Sequence, residues 1–142
     1  MVVGKYNLEE WNKIAHDAHL ACFGEFRDPS FNRYDYVLCA FKEDGSICAY
    51  ASIIELDAES AYMQHGGAFP TVEGTVMVLK SYRKILDNLR SKYKRASTKI
   101  SNYNLRMLKM ALNEGFIIIG VDCHSDGTFL HLINEFDGGN KQ

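Results

Sequence analysis

The chain has 142 residues, of which 46% are hydrophobic and 24% are charged, and its net charge is −2. This composition excludes a disordered chain, and no apolar run approaches the ~20 residues that cross a bilayer. The N-terminus lacks the basic and apolar regions of a signal peptide, so we expect a cytoplasmic protein without a membrane span. Its size predicts a single domain over residues 1–142, with a disordered tail at 137–142.

Positive charge is concentrated in one part of the chain. Residues 75–106 carry nine Lys or Arg and one Asp, whereas residues 1–74 carry five basic and twelve acidic residues. The segment Lys80–Arg95 holds most of this positive charge on the polar faces of a predicted helix. A solvated helix face is the favoured interpretation, and a contact with nucleic acid or an acidic protein surface is the alternative.

The first half of the chain predicts an edge strand, a helix and a hairpin. Val2 to Tyr6 has the composition of a short strand, and Asn7 is a suitable cap for a helix whose apolar stripe continues to Gly24. Residues 25–33 show no period and predict a loop. Two segments rich in β-branched and aromatic residues, 34–41 and 47–56, flank a turn at Asp44-Gly45 and predict a hairpin.

The second half alternates strands with helices. A third antiparallel strand is predicted from residue 61, and Gly66-Gly67 is the expected place of a bulge or a close backbone approach. A long helix follows Pro70 and continues to Tyr93. Further expectations are a short strand at 96–100, a helix over 103–113 capped by Ser101 or Asn102, a buried apolar strand at 116–123 and its hairpin partner at 128–136. This order predicts an α/β (α+β) fold in which helices cover a mixed sheet and sequential strands are neighbours.

Neither a metal site nor a redox site is predicted. His16 and His19 stand three residues apart, whereas two ligands on one helix face normally stand four apart, and no third ligand is evident by spacing. The cysteines lack the short CxxC spacing and lie in apolar sequence, so we expect buried thiols at Cys22, Cys39, Cys48 and Cys123.

The stretch from Asn104 to Phe116 resembles the helix-to-strand signature of the N-acetyltransferases of the GNAT superfamily. In that signature an Asn opens a helix and a Gly-Phe pair, here Gly115-Phe116, starts the next strand. The element order from about residue 6 to 136 also matches the GNAT fold, a mixed, mainly antiparallel sheet of six to seven strands flanked by helices. The resemblance implies transfer of an acetyl group from acetyl-CoA to an amine of a small molecule or a protein.

The resemblance also implies a cofactor site. The family's pyrophosphate loop, Arg/Gln-x-x-Gly-x-Gly/Ala, corresponds here to Thr71, Gly74 and Val76, so valine stands in place of the second glycine. Backbone N–H groups at such a helix start suit phosphate groups. The residues implied to contact acetyl-CoA are Phe69, Thr71, Val72, Gly74, Thr75, Val76 and Asn104. For the basic helix, the family adds a third interpretation, a contact with the 3′-phosphate of coenzyme A.

The family's tyrosine seven residues after the Asn protonates the departing thiolate. Ala111 stands there in this chain, and we expect Tyr103 or a water molecule to replace that tyrosine. His65 is the predicted general base, because it precedes the expected bulge and an unperturbed imidazole titrates near pH ~6.5. Glu55 is predicted to receive a proton or to orient the amine. Each of these two residues has a simpler interpretation: His65 as a histidine at a strand end, and Glu55 as a solvated carboxylate.

A looser likeness to small acetyltransferase-like proteins of tailed bacteriophages implies an alternative function. That alternative is a catalytically inactive binding or virion-associated module, resident in the host cytoplasm if it is phage-encoded. The oligomeric state does not follow from the sequence.

Overall fold

The computed structural model of the chain describes residues 1–13, 34–68 and 74–136. Within these ranges the chain forms seven strands and three helices, which are named here in chain order. They are β1 (Val2–Asn7), α1 (Leu8–Asn12), β2 (Tyr36–Phe41), β3 (Ile47–Asp57), β4 (Ser60–Ala68), α2 (Gly74–Lys92), β5 (Arg95–Ser101), α3 (Leu105–Asn113), β6 (Ile117–His124) and β7 (Gly127–Glu135). The predicted continuation of the first helix to Gly24, the loop at 25–33, His16 and His19, and the tail at 137–142 lie outside the described residues.

All seven strands form one sheet in the order β1-β2-β3-β4-β5-β7-β6. β4 and β5 run parallel, and the other neighbouring pairs are antiparallel. This confirms the predicted mixed, mainly antiparallel sheet. Sequential strands are neighbours from β1 to β5. β7 then lies between β5 and β6, so the expectation of sequential neighbours is wrong at the C-terminal end.

β6 differs most from its prediction. The apolar strand was expected to be buried, but Ile117, Ile119 and Val121 are 59%, 59% and 61% exposed. The reason is that β7 takes the inner place beside β5, so β6 forms the edge of the sheet and pairs with β7 alone. An apolar run indicates that a strand tends to be buried, but it does not determine which strand of a hairpin reaches the inner position.

α2 covers one face of the sheet. Its apolar stripe, formed by Ile85, Leu86 and Leu89, is at most 3% exposed and joins a core that includes Ala49 and Ala51 of β3. Burial of each such side chain contributes roughly 1.5–3 kcal/mol, so the stripe is the main anchor of this helix. No helix within the described ranges is both long enough and apolar enough to cross a membrane.

A second, smaller cluster lies on the face where α1 packs. Trp11 is 2% exposed, and its ring centroid lies 4.9 Å from that of Tyr50 on β3. Val37, Cys39 and Tyr34 complete the cluster. β2 and β3 therefore lie between two apolar clusters, and most of their residues are buried on both faces of the sheet.

The helix termini follow the predicted chemistry at two of three positions. Asn7 forms a capping box with Glu10, as expected from its place before α1. Gly115 ends α3 with φ +104°, which confirms the predicted left-handed turn. The cap of α3 is Asn104, whose side chain accepts the Met107 N–H (3.2 Å), so the predicted caps at residues 101 and 102 were two to three residues too early.

The cysteines divide by strand position. Cys39 on β2 and Cys48 on β3 are buried, and burial raises the pKa of the Cys39 thiol to about 12. Cys123 is exposed because it belongs to the edge strand β6, so the expectation of a buried thiol was wrong there. Cys22 lies outside the described residues.

Candidate active site

The parallel strands β4 and β5 separate partway along their length. They stay paired from their first residues to Met63 and Thr98, and both strands continue beyond this last pair. The Thr98 hydroxyl donates a hydrogen bond to the Met63 carbonyl (2.9 Å) and closes the paired region. The opening between Gln64–Ala68 of β4 and Lys99–Ser101 of β5 is called the fork.

A β-bulge at Gln64 begins the separation. Ser52 of β3 pairs with His65 and Ile53 pairs with Met63, so Gln64 is the extra residue between them. The buried Ser52 hydroxyl accepts a hydrogen bond from the His65 N–H (3.0 Å) and donates to the His65 carbonyl (3.4 Å). One side chain therefore satisfies both backbone groups of His65 where the regular ladder is interrupted.

Gly66 and Gly67 stay in the ladder, opposite Ala51 and Tyr50, so the bulge predicted at the glycines lies two residues earlier. A bulge requires an extra residue in one strand, and that residue need not be glycine. The expected close approach is confirmed at Gly66, where a Cβ would lie 3.0 Å from the Tyr50 carbonyl oxygen and 3.0 Å from the Tyr82 hydroxyl. The missing side chain lets α2 lie close to β4.

A groove of about 630 Å³ lies between the end of β4, α2 and α3. This volume is in the range of small-molecule sites. β4 contributes Gly66, Gly67 and Ala68, α2 contributes Val78, Leu79 and Tyr82, and α3 with its cap contributes Asn104, Arg106, Met107, Lys109, Met110 and Asn113. The groove reaches the fork, because Gly66, Tyr82, Asn104 and Met107 line both spaces.

A cavity of about 180 Å³ occupies the fork itself. Gln64 and His65 line it from β4, and Thr98 and Lys99 line it from β5. Since a water molecule takes ~30 Å³ in the liquid, this space holds a few small groups rather than a whole cofactor. The arrangement is a long groove that leads to a small polar chamber between two strands.

The sequence matches no protein-family model and no curated protein. The structure, in contrast, is similar to solved N-acetyltransferases. The ribosomal-protein-S18-alanine N-acetyltransferase from Escherichia coli has a TM-score of 0.73 and 12% identity, over 99% of this chain and 98% of that one. A GNAT family acetyltransferase from Elizabethkingia anophelis, solved with acetyl-CoA bound, has a TM-score of 0.72 and 12% identity, over 94% and 97% of the two chains. A mutant of the spermidine N-acetyltransferase from Vibrio cholerae has a TM-score of 0.69 and 9% identity, over 96% and 95%.

The chain has the GNAT fold. Each similarity extends over nearly the whole of both chains, so the chain shares the complete fold and not only a fragment of it. This confirms the fold that the order of elements predicted.

The predicted cofactor residues within the described ranges fall into two groups. Asn104 lines both the groove and the fork, while Gly74, Thr75 and Val76 form the start of α2. Val76 is 67% exposed. Phe69, Thr71 and Val72 lie outside the described residues.

The two predicted acid–base residues lie apart. His65 lies beside the bulge and lines the fork cavity. Glu55 is three residues beyond Ser52 on β3, ~10 Å along the strand from the position opposite His65. The Glu55 carboxylate accepts the Tyr93 hydroxyl (2.5 Å) and lies 3.6 Å from Lys92 Nζ. The Tyr93 hydrogen bond is the main cause that lowers the pKa of Glu55. The structure therefore does not bring Glu55 to the fork.

The tyrosines also depart from expectation. Tyr103 is 87% exposed in the turn after β5, and it is not among the residues that line the groove or the fork. Ala111 is buried beside a third cavity of only about 30 Å³. Tyr82 of α2 is, among the described residues, the one tyrosine that lines both the groove and the fork. The sequence placed Tyr82 in the apolar stripe and carried no signal of its proximity to the fork.

Most basic residues of the segment Lys80–Arg95 pair with carboxylates of the same chain. Five of its seven Lys and Arg side chains form ion pairs: Arg83 with Glu114, Arg90 with Asp87, Lys92 with Glu55, Lys94 with Glu59, and Arg95 with Glu135. Such partly exposed pairs contribute only ~0–1 kcal/mol each. They nevertheless balance much of the charge that nucleic acid would contact, which favours a solvated helix face.

Two cations of the groove were missed by sequence reasoning. Arg106 and Lys109 lie three residues apart on α3 and both line the groove, as does Asn113 four residues further on. Residues at this spacing share one face of a helix, so the pattern was available in the sequence. Gln64 left no such signal, because its place depends on where the bulge forms.

Proposed function

We propose that this protein is an acetyl-CoA-dependent N-acetyltransferase that acts on an amine of a small molecule or a protein. The observation that carries the proposal is that the groove between α2 and α3 adjoins the polar chamber of the fork, with four lining residues in common. A long, thin substrate with a reactive end fits this shape. Solved structures of the same fold support the assignment of that substrate, since one of them holds acetyl-CoA.

The residues of the groove suit acetyl-CoA in charge as well as in shape. The N-terminal end of the α2 dipole and the side chains of Arg106 and Lys109 would provide positive potential for phosphate groups. The apolar residues Val78, Leu79 and Met107 suit the thin chain that joins the phosphates to the thioester.

In the proposed reaction the neutral amine attacks the thioester carbonyl in the fork. The C–N bond forms, the C–S bond breaks, and the amine loses one proton while the leaving thiolate gains one. We assign proton removal to His65, which lines the fork cavity. We assign the second proton to Tyr82 or to water, because Tyr103 lies outside the groove and the fork. Glu55 has no direct part in this scheme.

The acceptor is proposed only as a class. Structural neighbours include a spermidine N-acetyltransferase and a ribosomal-protein-S18-alanine N-acetyltransferase, so one fold serves a small polyamine and a protein amine. Both acceptors present an amine that attacks in its neutral form and loses one proton once the C–N bond has formed. A base in the fork, such as His65, is common to either case.

Binding of acetyl-CoA is the first test. At one hundred times its Kd the ligand should stabilise the native state by about 2.7 kcal/mol, which raises Tm by roughly 8–11 °C. Replacing both Arg106 and Lys109 by Gln should weaken binding roughly tenfold, equal to about 1.4 kcal/mol, and reduce its salt dependence. The control is Lys84→Gln, an exposed residue of α2 that does not line the groove. A Tm that does not respond to acetyl-CoA contradicts the proposal.

Turnover is the second test. Thiol release should be measured with spermidine, an aminoglycoside and a peptide with N-terminal alanine as acceptors. His65→Ala should lower kcat roughly ten- to thousandfold and should remove the acid limb of the pH profile. An unchanged rate would exclude His65 as the base.

The second candidate is a catalytically inactive module of the same fold that binds a partner. Ala111 in place of the family's tyrosine, together with the exposed position of Tyr103, favours it. A protein that binds acetyl-CoA and acetylates no amine would support this candidate. A cytoplasmic location and a bacteriophage source stay predictions, to be tested by cell fractionation and by genomic context.

A further inference from the structure

The fork contains a buried polar atom that the protein itself does not satisfy. Gln64 Oε1 is, among the described residues, the one buried side-chain nitrogen or oxygen without a hydrogen-bond partner. Its residue lines the fork cavity together with His65. A buried acceptor left unpaired is costly, and native proteins leave few such atoms without a reason.

The local backbone explains why this oxygen lies there. Gln64 is the extra residue of the bulge, so it has no opposite residue on β3. The Ser52 hydroxyl is already engaged by both backbone groups of His65, and the Thr98 hydroxyl donates to the Met63 carbonyl. These two hydroxyls therefore serve the backbone and leave the Gln64 oxygen without a partner. A rotation of the Gln64 amide would present this oxygen to a group that enters the cavity.

We propose that Gln64 Oε1 accepts a hydrogen bond from one N–H group of the acceptor amine, namely the one whose proton His65 does not remove. This inference rests on the proposed function. A primary amine that attacks a thioester carries two N–H groups. One proton is transferred to the base after the C–N bond forms, and the other N–H needs an acceptor in a site with little water. A fork that holds one base and one buried acceptor side by side meets both needs.

The chemistry of an amide oxygen is also suited to this role. A carboxylate at the same place would favour the ammonium form of the amine and raise its pKa, and an ammonium has no lone pair for the attack. A neutral carbonyl accepts the hydrogen bond without that effect. Gln64 is therefore a residue that orients the reactive amine form and selects primary over secondary amines.

The central test is Gln64→Met, which removes the oxygen and nearly keeps the volume. We expect kcat/KM to fall about ten- to hundredfold for whichever of spermidine, the aminoglycoside and the alanine peptide the wild type acetylates. The Kd of acetyl-CoA should stay within about twofold. Tm without ligand should stay equal or rise, because an unpaired buried acceptor is lost. The control is Asn88→Leu, an exposed amide on α2 outside both cavities, which should leave kcat/KM unchanged.

Gln64→Glu supplies an independent readout that a merely structural role would not change. The rising limb of the kcat profile should move to higher pH, because a carboxylate beside the bound amine keeps that amine protonated to higher pH. With the wild type, a peptide that begins with N-methylalanine should react more slowly than the alanine peptide, and Gln64→Met should reduce that preference.

Three results would overturn the inference alone. The first is a Gln64→Met variant with wild-type kcat/KM. The second is a Gln64→Met variant that loses acetyl-CoA affinity while its amine kinetics are unchanged, which would assign the oxygen to an N–H of the cofactor. The third is a clear fall in the Tm of this variant, which would reveal a structural partner of the oxygen. A wild type that acetylates none of the three amines contradicts the proposed function, and the inference fails with it.

Discussion

Gly66→Ala is the substitution for which the structure predicts the clearest physical effect. The added Cβ would lie 3.0 Å from the Tyr50 carbonyl oxygen, 3.0 Å from the Tyr82 hydroxyl and 3.5 Å from Tyr82 Cε1. The Tyr50 oxygen belongs to the backbone of β3, and Tyr82 is 4% exposed, so neither moves freely. Overpacking of this kind costs about 1–3 kcal/mol. We expect Tm to fall by roughly 3–10 °C.

The assay is thermal and urea unfolding of the variant beside two controls. Gly120→Ala places a Cβ no closer than 3.9 Å to its nearest neighbour, the His131 Cβ, so it should be neutral or slightly stabilising. In a Tyr82→Phe background one of the two closest contacts is absent, so Gly66→Ala should cost less there. The difference should amount to about 0.5 kcal/mol or more in a double-mutant cycle.

Two results would refute this reasoning. If Gly66→Ala unfolds at the wild-type temperature, the close approach between β4 and α2 does not exist. If the cost is the same with Phe at position 82, the hydroxyl is not the obstacle. Acetyl-CoA affinity should fall together with stability, because a displaced Tyr82 would narrow the groove that it lines.

Three further predictions concern other parts of the chain. The pKa of Glu55 is lowered from 4.5 in the folded state, so its contribution to stability is present above that pH and is lost as the pH falls through the folded value. Tyr93→Phe removes the hydrogen bond that is the main cause of this lowered pKa, so the free energy of unfolding should depend less on acid pH. An unchanged dependence on pH would contradict Tyr93 as the partner of Glu55. Iodoacetamide should label Cys123 quickly and Cys39 only after unfolding, as mass spectrometry of the modified peptides will determine. Gly115→Ala should destabilise by about 1–2 kcal/mol because φ is +104° there, and urea unfolding will measure it.

Local features of this chain were predictable because they depend on residues a few positions apart. The capping box of Asn7, the left-handed turn at Gly115 and the apolar stripe of α2 each involve one or two helical turns. His65 and Asn104 both line the fork cavity, and their roles in catalysis and cofactor binding stay predictions.

Features that depend on strand pairing were predicted less well. Glu55 was predicted to receive a proton or to orient the amine, but β3 continues to Asp57 and holds the carboxylate near the turn that leads to β4. Tyr103 or a water molecule was predicted as the acid, and Tyr82 was assigned only to the apolar stripe of the helix, because the sequence does not indicate which aromatic side chain lines the fork. Gln64 was not considered at all, because a bulge is a property of two strands together.

The sequence by itself determined the type and order of the elements, and through them the fold, because hydrophobic periodicity and capping act over short distances along one segment. Only the tertiary structure decided which strand forms the edge, where β4 separates from β5 and which side chains line the fork. Those features arise from register between distant segments, and a shift of one residue would exchange the two faces of a strand. The register between β3 and β4 makes Gln64 the extra residue of the bulge, and this places its unpaired oxygen in a residue that lines the fork.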